Sequence, residues 1–294
     1  MNADFTRDTF NPNAQRRSVR FQQGRIPLDA ELNEAQDLLH TRGETADADI
    51  IGQAGGPEEG AGFEILLDPQ DGLVATAGRY YVDGILSTLH ADTPLTNQPD
   101  FPDYTLPVQP GIYLAYLDVS FDHITARVDP SLEEVALNGA DTTSRQRTKA
   151  QVKLLLATDD PNAEVSCSDE LEPWEALTTP PTGTIAARAQ PQEIAANECS
   201  MTPGAGYRSL LNQLYRIEIH DAGDEENATW KWSRENASIV ANWYAKNGDE
   251  LTIEPQGRDP HRAFVPGGWV ELIDRERELQ DHRQRNGEER ADRA

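Results

Sequence analysis

Lysine is nearly missing from this 294-residue chain. Lys149, Lys153, Lys231 and Lys246 are its only lysines, so 22 of the 26 basic residues (26 − 4) are arginines. Against them stand 51 carboxylates, and the formal net charge is −25. Nucleic-acid binding needs a basic face, and this balance argues against it. Long apolar runs are missing too: no stretch approaches the ~20 apolar residues of a membrane span. Met1-Asn2-Ala3-Asp4 is polar where a secretory leader carries an apolar centre. No membrane insertion and synthesis in the cytoplasm are therefore expected. Cysteine is down to two, Cys167 and Cys199, too far apart for a Cys-x-x-Cys site and with no histidine between them. A disulfide closing roughly 30 residues would stabilise by about 3–4 kcal/mol. A cytoplasmic start disfavours that bond. Free buried thiols or a metal-bound pair are the alternatives.

Catalytic signatures are also lacking. The chain has no Gly-x-Ser-x-Gly elbow, His-Glu-x-x-His helix, EF-hand loop or Walker sequence. The Gly-rich stretch 52–60 has no Lys-Ser/Thr behind it, so it is no phosphate cradle. Six histidines are scattered singly, and the best local acid/base pair is Asp118 with His123 across an expected turn. Among 51 acids, pairs such as Glu133/Glu134 and Asp159/Asp160 carry little information. Asp221 to Glu226 reads as a solvated acidic turn, with cation binding as the alternative. Neither an enzyme, a cofactor nor a metal site is expected.

Acidity with so few lysines resembles a protein from an extreme halophile. In molar salt the Debye length falls to about 3 Å, which screens the self-repulsion of such a chain. An acidic mesophilic protein is the alternative, and on either view the charge reflects solvent rather than substrate.

The stretch that speaks most clearly is residues 4–36. Arg16, Arg17, Arg20 and Arg25 make a basic run inside an acidic chain. It is either a solvated face or an arm docking on an acidic neighbour. Gly24 permits a turn, Pro27 pre-sets φ for a first helical turn, and Asp29, Glu31 and Glu34 suit a helix N-terminus. Leu28, Leu32, Ala35 and Leu39 recur at helical spacing, which predicts a helix from Leu28 to Arg42, extendable to Ile51. This pattern suits an arm and helix that grip another protein. The expected contacts are Phe5, Phe10, Phe21, Arg25, Leu28, Leu32 and Leu39.

Beyond Phe63 the periodicity changes to strands, with Asp71-Gly72 and Asp83-Gly84 as turns. Strands are expected at 63–67, 73–76, 79–82, 112–119, 124–128, 151–156, 214–220, 229–233, 238–243 and 250–254. Short helices are expected at 129–135 and 142–149, and Pro94 to Pro110 reads as a structureless loop. Trp230 and Trp232 share one face of their strand, which predicts burial against a second layer. A carbohydrate platform and a subunit interface are the alternatives. The fold expected is α+β, mainly β: an antiparallel β-rich domain with a protruding N-terminal arm and helix and a charged C-terminal tail. The expected limits are 1–52 for arm and helix, 53–265 for the core with a long loop at 157–206, and 266–294 for the tail.

Asp4-Phe5-Thr6-Arg7-Asp8-Thr9-Phe10, followed by Gln22-Gln23-Gly24-Arg25-Ile26-Pro27-Leu28-Asp29-Ala30-Glu31-Leu32-Asn33-Glu34, resembles the amino-terminal signature of an uncharacterised family associated with phage-like contractile tails and injection machines. The resemblance continues through Gly78–Gly84, Tyr113–Val119, Asp129–Ser131, Asn212–His220 and Lys231–Asn236, and so covers roughly residues 1–245. It implies a structural subunit of a tail or contractile injection particle, in the baseplate or as a fibre or spike adaptor. The implied partners are other tail or baseplate subunits and further copies of the chain, a homotrimer being favoured because repeated contacts must close. The protein would then end as part of an assembled virion or injection particle. The competing class is a carbohydrate-binding or carbohydrate-degrading tail-spike-type protein acting on a cell envelope. A soluble assembly factor is a third.

Overall fold

The computed structural model describes residues 5–180, 182–186, 215–234, 239–254, 263–264 and 267–272. The protein is α+β and mainly β; among the described residues there are two α-helices, and the ladders between strands are antiparallel. Its compact units are Asp8–Thr179 with Trp269–Ala294, and Pro180–Gly268 with Met1–Arg7. That division falls inside the loop expected at 157–206, whereas the limits read from the sequence were 52/53 and 265/266. Of the expected C-terminal tail, residues 266 and 273–294 lie outside the described residues.

In the first unit, α1 runs Asp29–Ile51. Pro27 lies two residues before its first helical residue rather than in the first turn, and Leu28 caps with extended backbone. The Glu31 carboxylate accepts from the Leu28 N–H at 3.1 Å, satisfying one donor at the helix start. One face of α1 is covered, through Ala30 and Glu34.

Two three-stranded sheets follow. One joins β1 (Ala54–Gly55), β4 (Gly78–Val82) and β5 (Ile85–Leu89); the other joins β2 (Ile65–Asp68), β3 (Gly72–Ala75) and β6 (Thr93–Pro94). The expected turns hold. Asp83 and Gly84 sit at φ +48° and +79°, and Gly72 at +75°. Gly84 is required twice over, because a Cβ there would lie 2.0 Å from the Glu44 carbonyl oxygen of α1.

Next come a small ladder, β7 (Asn97–Gln98) with β8 (Phe101–Pro102), and the long pair β9 (Ile112–Ile124) with β12 (Arg145–Thr158). Between the long strands, β10 (Glu133–Glu134) pairs with β11 (Ala140–Asp141). Here three expectations are corrected. The strand expected at 124–128 extends the one at 112–119 only as far as Ile124, Ser120 to Ile124 staying in register with Arg145 to Lys149. Residues 125–128 form a turn closed by the Val128 N–H on the Thr125 carbonyl. Residues 145–149 are strand rather than helix; their backbone groups are taken by β9, and that ladder outweighs the local helix preference of Arg, Gln and Lys. The helix expected at 129–135 is replaced by 3-10 turns at Pro130–Leu132 and Val135–Leu137 flanking β10. The unit closes with α2 (Glu172–Thr178), whose Trp174 ring meets Tyr116 edge-on with centroids 5.5 Å apart.

Its core gathers Ala75, Leu95, Phe101, Tyr104 and Val152, with Phe63, Ile65, Leu73, Leu89, Leu106, Leu117 and Leu154 packed against them. Burying each large apolar side chain contributes about 1.5–3 kcal/mol. The second unit contains two hairpins, β13 (Tyr215–Asp221) with β14 (Thr229–Arg234) and β15 (Asn242–Asn247) with β16 (Glu250–Glu254). None of its described residues is buried.

Candidate functional site

Arm and helix meet through one carboxylate. Glu34, buried on the covered face of α1, accepts from the Thr9 hydroxyl at 2.6 Å and from Arg16 Nη1 at 2.8 Å. Arg16 also donates to the Thr9 carbonyl at 3.1 Å, which fixes the residues around Phe10 along the helix. These bonds hold the Glu34 carboxyl below its usual range, Thr9 having the largest effect and Arg16 the next. Asp37 moves the other way, raised by burial and by the neighbouring Asp8 charge. Between arm and helix runs an open groove of about 390 Å³ lined by Phe10, Arg16, Leu38, Arg42, Ala46 and Asp49, among others.

Beyond Arg16 the arm leaves the body. From residue 17 to residue 29 every residue is exposed except the half-buried Val19. The segment turns at Gln22–Arg25, where the Arg25 N–H bonds the Gln22 carbonyl at 3.2 Å and Gly24 takes φ +70°. Phe21 and Ile26 flank this turn at 53% and 87% exposure. On α1, Leu28, Leu32 and Leu39 point away from the covered face, and Ile50 lies on the same stripe at helical phase. Leu32, Leu39 and Ile50 are 52%, 61% and 82% exposed.

The predicted contact residues therefore divide. Phe21, Arg25, Leu28, Leu32 and Leu39 lie exposed along the arm tip and the outer face of α1. Phe10 is half-buried in the groove, and Phe5, also half-buried, counts with the second unit. Ile26 and Ile50 were missed, although both were visible as apolar residues in phase with the predicted turn and stripe.

A family model describing a family of unknown function, DUF6519, matches residues 1–173 and 156–284. The chain belongs to that family. No curated protein and no solved structure matches it.

The remaining candidates are resolved by their surroundings. Asp118 and His123 lie on one strand, five residues and so about 17 Å apart, on opposite faces. Asp118 pairs with the Lys153 ammonium, whose Nζ also sits 5.5 Å from the Phe101 ring centre. Burial lowers the pKa of His123 against the opposing pull of Asp122. Glu133 pairs with Arg127 at 2.9 Å, while Glu134 and Asp160 accept from the N–H groups of Ala136 and Asn162. Asp224 accepts from the N–H groups of Glu226 and Asn227, so the acidic turn is a hydrogen-bonded loop. Among the described residues no group of three His, Cys, Asp or Glu side chains converges, and no helix is long and apolar enough to cross a membrane. Cys167 is an exposed free thiol; Cys199 lies outside the described residues.

The tryptophans correct an expectation. Trp230 and Trp232 are 60% and 58% exposed rather than buried under a second layer. Cross-strand pairing puts them with Ile219 and Ile217 on one face of the β13/β14 hairpin, and Tyr215 stacks 5.9 Å from Trp232. The opposite face is ionic: Glu218 bridges Arg216 and Lys231 at 2.6 and 3.1 Å.

Proposed function

We propose that the protein is a structural subunit of a phage-like tail or contractile injection particle, acting by protein–protein assembly rather than by catalysis. The observation that carries this reading is the exposed apolar surface of arm tip and helix: Phe21, Ile26, Leu28, Leu32, Leu39 and Ile50 on a segment tied to the body through Thr9, Arg16 and Glu34. Apolar side chains held in water on an ordered segment mark a surface meant to be covered. Resemblance of the Phe5–Phe10 and Gln22–Glu34 signatures supports a role in a tail, with baseplate or fibre-adaptor subunits as the neighbours it implies. Mass spectrometry of particles released by the producing cells tests it. The protein is expected among their stoichiometric components, and a Leu32→Asp/Leu39→Asp variant is expected to fold yet be lost from them. Particles free of the wild-type protein would overturn the reading.

A second reading rests on the β13/β14 hairpin, where Tyr215, Trp230 and Trp232 offer a flat, exposed aromatic face of the kind that stacks on sugar rings. Binding to a glycan array that is lost with Trp230→Ala/Trp232→Ala would favour an envelope-binding role.

A further inference from the structure

We propose that the occupant of the outer face of α1 is a second copy of this chain, whose arm tip, residues 17–28, docks there. The inference rests on the assembly reading and names the partner of that surface. Opposite charge is the first support. From Asp8 to Pro27 the arm carries Arg16, Arg17, Arg20 and Arg25 against Asp8, a net of +3 (4 − 1). From Asp29 to Ile51, α1 carries Asp29, Glu31, Glu34, Asp37, Glu44, Asp47 and Asp49 against Arg42, a net of −6 (1 − 7). Within one chain, Arg16 with Glu34 is the ion pair formed between these two segments among the described residues. Arg17, Arg20 and Arg25 remain exposed at the arm tip, and Asp29, Glu31, Asp47 and Asp49 flank the apolar stripe on either side at helical phase.

The apolar pattern matches as well. Phe21 and Ile26 straddle the turn at Gln22–Arg25, with arginines beside each of them. Leu39 and Ile50 line the stripe with Asp47 and Asp49 at its two edges, Asp49 on the edge that also borders the groove. Each surface offers an apolar centre with a charged rim, and the rims are of opposite sign. Arm tip and helix stripe are different patches, so two copies can exchange tips reciprocally in a closed pair, or each copy can give its tip to one neighbour and receive a tip from another. The second arrangement closes into a ring when the rotation between copies closes and otherwise runs on as a filament. Docking fixes the side chains of the arm tip at a cost in conformational entropy, which burial of Phe21 and Ile26 in the neighbour offsets.

Two charge-reversal variants of the full chain test the proposal by light scattering, with circular dichroism confirming the fold. Arg17→Glu/Arg20→Glu/Arg25→Glu alters exposed arm residues. Asp47→Arg/Asp49→Arg adds cations near a helix C-terminus, where they favour the helix. The wild type is expected to self-associate, and each variant alone to do so roughly 100-fold more weakly. Mixing the two variants is expected to restore association, because the reversed arm then meets the reversed helix. A wild type that stays monomeric at high concentration overturns the proposal, as does self-association unchanged in either variant. A triple-arginine variant that self-associates normally but drops out of particles would overturn it while leaving the assembly role standing.

Discussion

The side-chain amide of Gln98 stands in for a neighbouring strand beside Val152. Its Oε1 accepts from the Val152 N–H at 2.7 Å, and its Nε2 donates to the Val152 carbonyl at 2.9 Å and to the Leu95 carbonyl at 3.0 Å. The outer N–H groups on either side of Val152 are met likewise, Ala150 by the Asp100 carboxylate at 3.1 Å and Leu154 by the Tyr104 hydroxyl at 3.0 Å. Arg147 ties Asp100 to Asp122 of β9, 2.9 Å from each. The free edge of β12 is thus closed by side chains and cannot template another strand there. Gln98→Glu puts a charged acceptor against two buried carbonyls, and Gln98→Leu leaves both groups of Val152 bare. Each is expected to cost about 1–3 kcal/mol or more per buried group left unmet. Urea unfolding measures the loss, and Gln98→Leu is also expected to raise aggregation.

Gly84 and Gly72 make a matched pair of tests. Both have positive φ, but a Cβ at Gly72 meets nothing within 4 Å while one at Gly84 meets the backbone of Glu44. Gly72→Ala is expected to cost about 1–2 kcal/mol from backbone strain alone. Gly84→Ala should cost clearly more, because the turn and α1 must separate. Thermal denaturation of the two variants side by side reads the difference; equal shifts would show that the helix yields freely.

Stability should fall on the acid side in two stages. His123 has its pKa lowered by burial, so the unfolded chain takes up a proton near pH 6.5 that the folded chain resists. Its contribution is complete above 6.5, is lost as the pH drops below that, and levels off under the depressed folded value. Glu34 acts in the next window. Held low by Thr9 and Arg16, it stabilises fully above 4.5, and that support is lost as pH falls through its lowered folded value. Denaturation midpoints across pH 3–8 should show a shallower slope near pH 6 in His123→Gln and near pH 4 in Thr9→Val.

Tryptophan fluorescence should separate the two kinds of indole. Trp230 and Trp232 are expected to be quenched readily by iodide and to emit as hydrated residues, and Trp230→Ala/Trp232→Ala should lower the quenchable signal by about half, the rest coming from the exposed Trp243 and Trp269, while costing little stability. A blue, protected emission from these two residues would show that the hairpin face is covered in solution.

Much of the first unit could be read from the residues. Asp83-Gly84 and Asp71-Gly72 marked turns because they tolerate unusual backbone, and Leu28, Leu32 and Leu39 marked the helix by their period. The edge of β12 could not be read. Gln98, Asp100 and Tyr104 sit in a stretch that shows no periodicity, because their work is done by side chains reaching a strand about 50 residues away. For the same reason 145–149 looked helical: its polar residues favour a helix locally, and only pairing with β9 decides otherwise. Exposure of Trp230 and Trp232 was equally hidden, since alternation tells which side chains share a face and not what lies above it.

The approach of Gly84 to Glu44 has a mechanical consequence. Force carried along α1 would reach the β4/β5 hairpin where main chain abuts main chain, with no soft side chain between to absorb it. Such a joint makes helix and hairpin move as one stiff piece.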